Sequence, residues 1–179
     1  AEAAYPCFQD RNVLIPVKDY TETLVTPLLA TSPFCRRAYE KPLGYPGDYQ
    51  LMQMCYSNVF DGDSVYARVF HKYFVDDYPL SRGVRGRRDL VVDLMAREHD
   101  RLIDKSMEEA VFRVVSLGCG PAREVSDYVA QRHGWPGQII WTLIDQEEAA
   151  LSVAYQTSSR EIGRWQSNGQ LNLLNFSFV

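Results

Sequence analysis

Between residues 111 and 145 the chain reads VFRVVSLG, then CGPAREVSDYVAQRHGWP, then GQIIWTLID, and this alternation limits the fold more than any other feature. Each outer segment is a short apolar run rich in β-branched residues, the pattern of a strand buried in a sheet. The middle segment breaks at Gly118 and Gly120 and resumes with helical spacing. Two such strands joined through a helix pair in parallel, because a crossover brings the chain back to the same end of the sheet. We read strands over 111–118 and 137–145, helices over 124–132 and from about Gln146 to Arg160, and a third, alternating strand in QLNLLNFSFV at 170–179.

Upstream the period changes. Scattered prolines (Pro6, Pro16, Pro27, Pro33) suggest one or two short helices with turns before residue 40. The stretch EKPLGYPGDYQLMQMCYSNVF places a tight turn ahead of a helix, with Asp48 at the N-cap and Leu51, Cys55 and Val59 on one face up to Asp61-Gly62. A second helix opens near Asp63 or Ser64. Its aromatic rows (Tyr66, Phe70 and Phe74, with Val65, Val69 and Tyr73 beside them) read as core packing. The segment DGDSVY starts like a calcium loop, but Tyr66 stands where glycine is needed and Lys72 where the closing glutamate belongs, which excludes an EF-hand. A longer helix over 84–109 would turn Leu90, Leu94, Met95, Leu102 and Ile103 inward. The chain therefore divides into a helical lid region, 1–110, and an α/β part, 111–179.

Composition narrows the partners. A net charge of −4 leaves no basic stripe for nucleic acid. The one dense basic run, RGVRGRRD from Arg82 to Asp89, reads either as a solvated helix start or as an anion contact. Four cysteines without a CxxC pair or a suitably spaced histidine suggest neither zinc nor a disulfide framework, and they fit a reducing cytoplasm. No apolar run is long enough for a membrane span, and the 46% hydrophobic content fits one soluble globular domain. The absent initiator methionine suggests a processed or excised chain.

The glycine turn is the chemical centre. In an open α/β sheet, ligands bind where strand carboxyl ends meet such a turn. Asp145 closes the second strand, where a carboxylate can accept both hydroxyls of a ribose. A dinucleotide fingerprint needs glycine at 123, but Arg123 stands there and Glu124 follows, and a carboxylate in the first helical turn repels a pyrophosphate. S-adenosylmethionine has no phosphate and carries an ammonium and a sulfonium, so the turn favours this methyl donor over NAD. Glu124 can equally serve its own helix dipole, Asp145 can be a strand-end cap, and Cys119 reads as a small residue in a tight place.

These stretches also resemble a known family. VVSLGCGPAREV is similar to motif I of class I S-adenosylmethionine-dependent methyltransferases, and WTLIDQEEAALSVA to their motif II. With KPLGYPGDYQLMQMCY and GVRGRRDL in the same order, residues 38–155 resemble the bacterial 3-hydroxypalmitic acid methyl ester biosynthesis proteins. The resemblance implies a Rossmann-like methyltransferase sheet behind a helical lid, and methyl transfer to a carboxylate or hydroxyl of a small or acyl-type acceptor. It implies that Leu117, Gly118, Cys119, Gly120 and Pro121 line the methionine part of the donor. Asp145 would hold the ribose, Gln146 would lie beside the adenine, and Arg87 would take the methionine carboxylate. Tyr45, Gly47 and Asp48 would close over the donor.

Two departures stand out. Ser116 occupies the place of the acid that usually meets the donor's ammonium, which makes Glu124 a candidate substitute. The family sheet has seven strands, so this chain reads as its first part, truncated after the third strand, with a sheet edge open to self-association. Bases are few: Tyr45, Asp48 and His71 are the candidates in the lid, while His99 and His133 read as surface or helix-end residues. A carboxylate acceptor needs no base. A non-catalytic binding or interaction module and an NAD-dependent oxidoreductase domain are the competing readings.

Overall fold

The computed structural model describes residues 10–103, 111–131 and 138–166. The expected third strand at 170–179 and His133 lie outside them. The chain starts with α1 (Arg11–Tyr20), capped by Asp10, continues through a π-helical turn (Thr21–Val25) into α2 (Thr26–Leu29), and enters α3 (Pro33–Glu40). Then follow α4 (Tyr49–Ser57), α5 (Val65–Asp76), α6 (Pro79–Ile103), β1 (Val111–Leu117), α7 (Arg123–Gln131), β2 (Gln138–Ile144) and α8 (Glu148–Gln166). The expected α/β order is present as a mostly helical structure with a small sheet. Among the described residues, no helix is long and apolar enough to cross a membrane.

β1 and β2 pair in parallel, in register from Val111 opposite Gln138 to Leu117 opposite Ile144. Residues directly opposed in such a ladder share a face, so Phe112, Val114, Trp141 and Leu143 lie on one side. That side is covered by Val92 and Met95 of α6, Val125, Tyr128 and Val129 of α7, and Leu151 and Ala154 of α8. The opposite side carries Val111, Val115 and Leu117, all exposed. β1 is thus half-buried, and the expectation of a strand covered on both faces is corrected.

A second core lies among the N-terminal helices, from Phe34, Leu51, Cys55 and Val75 with Phe74 and Val84 against them. α6 feeds both cores, through Val84 near its start and Val92 and Met95 further on. Arg85 fixes its position by donating to the backbone carbonyls of Cys55, Val75 and Asp76. The basic run is therefore neither a uniform solvated face nor a uniform anion site.

Three helix readings need correction. α4 stops at Asn58, whose φ of 50° ends the helix, and Val59 is exposed. α5 buries Ala67, His71 and Val75, whereas Val65, Tyr66, Val69 and Tyr73 face outward. The aromatic rings pack chiefly on one another: Tyr66 stacks on Phe70 at 5.4 Å and Phe70 meets Phe74 edge-on at 4.9 Å. α6 starts at Pro79, five residues before position 84, with proline in the first helical turn where its missing N–H costs nothing. Leu90 and Leu94 are exposed, and Val92, Met95 and His99 take the inward places. His99 is a core residue: its Nδ1 meets the Tyr128 hydroxyl at 3.0 Å and its ring stacks on Phe112 at 5.0 Å.

Candidate functional site

The turn after β1 bends through three left-handed residues, Gly118 (φ 61°), Gly120 (φ 54°) and Ala122 (φ 45°). Glycine suits the first two, since a Cβ is strained there. At Gly120 an added Cβ would also lie 3.3 Å from the Met52 sulfur. The turn is tied to the end of β2: the Cys119 N–H donates to the Ile144 carbonyl at 3.0 Å, and the Gly120 N–H to Asp145 Oδ2 at 2.7 Å. Asp145 Oδ1 accepts from the Glu147 N–H at 3.0 Å. Asp145 therefore caps the entry to α8 and holds the glycine turn at once. Each of its oxygens accepts one of these bonds and keeps a lone pair for another partner.

Two adjoining cavities open on this turn. The first, about 350 Å³, is lined by Tyr45, Gly47, Gly118, Gly120, Asp145 and Gln146, together with Tyr49, Met52 and Ile144. The second, about 250 Å³, is lined by Arg87, Arg88, Ser116, Leu117, Cys119 and Glu124, with Tyr56 and Val91. Met52 and Gly118 line both, so the two sit side by side along the turn as a groove in two parts. Ten of the residues expected to contact the cofactor line it.

The remaining site expectations fall elsewhere. Pro121 lines a separate cleft. Asp48 is 1% exposed and fully engaged. It caps α4 by accepting from the Gln50 and Leu51 N–H groups at 3.0 Å and pairs with Arg37 Nε at 2.8 Å. It lines neither cavity of the groove. His71 is also outside the groove, so Tyr45 alone among the candidate catalytic residues borders it.

Sequence reasoning missed Tyr49, Met52, Tyr56 and Arg88. The first three recur at i, i+3 and i+7 on α4, off the face that buries Leu51 and Cys55, so the spacing was readable. What the groove needed from them was not. Arg88 sits over the Tyr56 ring at 5.5 Å and pairs with Asp127 of α7 at 3.3 Å, which ties α6 to the helix that leaves the turn.

The groove is electrostatically mixed. Burial pushes the Glu124 carboxyl above its usual range, while its own backbone N–H, Arg87 and Ser116 pull it back. Burial and the charge of Glu124 raise the Tyr56 hydroxyl, against Arg87 and Arg88. The Cys119 thiol is pushed up to about 12 by burial and by Asp145 and Glu124. It stays protonated near neutral pH and is no nucleophile. Iodoacetamide at pH 8 should therefore leave Cys119 unmodified in the folded chain and label it in denaturant. Peptide mass mapping reads the difference, and rapid labelling of the folded chain would refute the assignment. No family model, curated protein or solved structure matches this chain.

Proposed function

We propose that the chain is the donor-binding part of an S-adenosylmethionine-dependent methyltransferase acting on a small-molecule or acyl-type acceptor. The observation that carries this reading is the pairing of unlike ends along one groove. Asp145 stands at one end with free acceptor capacity for a ribose diol. Glu124 and Arg87 stand at the other, an acid and a base for the ammonium and carboxylate of an amino acid. S-adenosylmethionine has that order of groups, nucleoside first and amino acid last. NAD would bring a pyrophosphate toward Glu124, which the carboxylate opposes.

Methyl transfer is a displacement at the sulfonium carbon and requires alignment more than proton transfer. An acceptor carboxylate forms the new O–C bond as the C–S bond breaks onto sulfur, and no proton moves. A hydroxyl acceptor would need a base. Asp48 is committed to Arg37 and His71 lies outside the groove, which leaves Tyr45 as the one candidate base on its wall, so a carboxylate acceptor, which needs no base, is the better match.

The test is calorimetric titration of the chain with S-adenosylmethionine and with NAD between pH 5 and 8. If Glu124 holds the ammonium it must be ionised, so methyl-donor affinity should climb as pH rises through its raised pKa and then level off. The sign for the free protein is opposite. Burial favours the protonated acid, so that contribution to stability is present at low pH and is lost as pH rises through the same range. Glu124→Gln should flatten the pH dependence and weaken binding about tenfold at pH 8. Binding of NAD but not of S-adenosylmethionine would overturn the proposal.

A further inference from the structure

Beside the groove lies a larger cleft of about 650 Å³ that the reading above does not use. One wall is the face of α4 that carries Gln50, Gln53 and Met54. Pro121, Arg123 and Thr157 of α8 stand across from it, and His71 lines it between. His71 is 1% exposed, and its Nδ1 accepts the Phe34 backbone N–H at 3.3 Å. A backbone N–H can only donate, so Nδ1 carries no proton and Nε2 carries it. Burial also lowers the pKa of the ring, which is therefore neutral at pH 7. His71 has an N–H to give and no free lone pair, so it is a hydrogen-bond donor and not a base.

The cationic side chain of the cleft is already paired, while its acid is open to solvent and its charge reaches the His71 ring. Arg123 Nε pairs with Asp127 at 3.1 Å, and Asp61 is an exposed, solvated acid. An anion or a cation entering here would give up its hydration for little return. The other polar groups are amides and a hydroxyl. Gln50 donates to the Tyr49 hydroxyl at 3.1 Å and so keeps its carbonyl free, Gln53 offers both halves of its amide, and Thr157 can donate or accept. We infer that this cleft is a second ligand site, for a small uncharged molecule bearing hydroxyl or amide groups, with His71 Nε2–H as its buried anchoring donor. The inference does not depend on what fills the groove, although Tyr56 stands in the wall common to both.

Two substitutions separate the jobs of His71. His71→Asn puts a carbonyl oxygen where Nδ1 lies, keeping the partner of Phe34 N–H and removing the N–H offered to the cleft. His71→Gln reaches the Nε2 position with an amide N–H and gives up the partner of Phe34. The experiment titrates the ¹⁵N-labelled chain with xylitol, acetamide, propionate and ethylammonium, following the side-chain signals of Gln50, Gln53 and His71. Xylitol or acetamide should move all three, and the two ions should not. His71→Asn should bind the neutral probe about tenfold more weakly at a near-normal melting temperature. His71→Gln should bind it normally and melt lower. If His71→Asn does not fold, Gln53→Ala supplies the weakened-binding comparison. No shift with either neutral probe, larger shifts with an ion, or undiminished binding in these variants would overturn the inference.

Discussion

Asp145→Ala should abolish measurable binding of S-adenosylmethionine and lower the melting temperature in the same protein. The carboxylate ties the Gly120 and Glu147 N–H groups together, so its removal leaves both without their acceptor. Two hydrogen bonds to a charged group, each worth ~1.5–3 kcal/mol, set the scale for the stability loss. Under the proposal, the same side chain accepts two ribose hydroxyls, and losing those contacts lowers affinity by about a hundredfold or more. Calorimetry and thermal melting on one preparation separate the two effects. Undiminished affinity in a folded Asp145→Ala would remove Asp145 from the binding site and leave it as a strand-end cap.

The largest effect on stability alone should come from Trp141→Ala, at ~3–5 kcal/mol by denaturant unfolding. Trp141 is 1% exposed, and its ring meets Tyr128 edge-on at 5.5 Å. Tyr128 in turn reaches His99, which stacks on Phe112, so a continuous aromatic chain links the sheet to α6 and α7. Truncation would leave a void beneath it. Trp141→Phe should cost far less, because the Trp141 indole N–H has no hydrogen-bond partner among the described residues. Phenylalanine removes that unsatisfied donor together with part of the volume, and the two changes oppose each other. Equal losses in the two variants would mean that the void left by truncation does not set the cost.

How much of this was legible depended on how local each signal was. The glycine turn, the strands on either side of it and the place of Asp145 follow from backbone constraints within a few residues, and they stand where the sequence put them. The cap at Asp48 was equally local. Its exclusion from the groove was not, because Arg37, which claims the carboxylate, comes from a different helix. The aromatic rows of α5 misled for a related reason. A ring has the same hydrophobicity on a covered or an open face, and only the packing of α3 and α6 decided that Ala67, His71 and Val75 would turn inward. His99 was unreadable until Tyr128 and Phe112 were placed beside it. The resemblance to methyltransferases selected the residues of the groove, while the larger cleft, with His71 held in one tautomer, had no signature in the sequence.

α6 has a mechanical consequence. A helix of 25 residues that contributes Val84 to one core and Val92 and Met95 to the other, with Arg85 and Arg88 stitching it within one turn between them, ties the two cores together. The N-terminal helices cannot swing away from the sheet as a block without tearing one of those cores. The short segment between α3 and α4, which borders the groove, is pinned at its ends by the Lys41 N–H on the Arg37 carbonyl and by the Asp48 cap. Lys41, Gly44 and Gly47 all have positive φ there, and Tyr45 sits among them on the groove wall. The glycine-rich turn thus sets Tyr45 on the groove wall from a segment anchored at both of its ends.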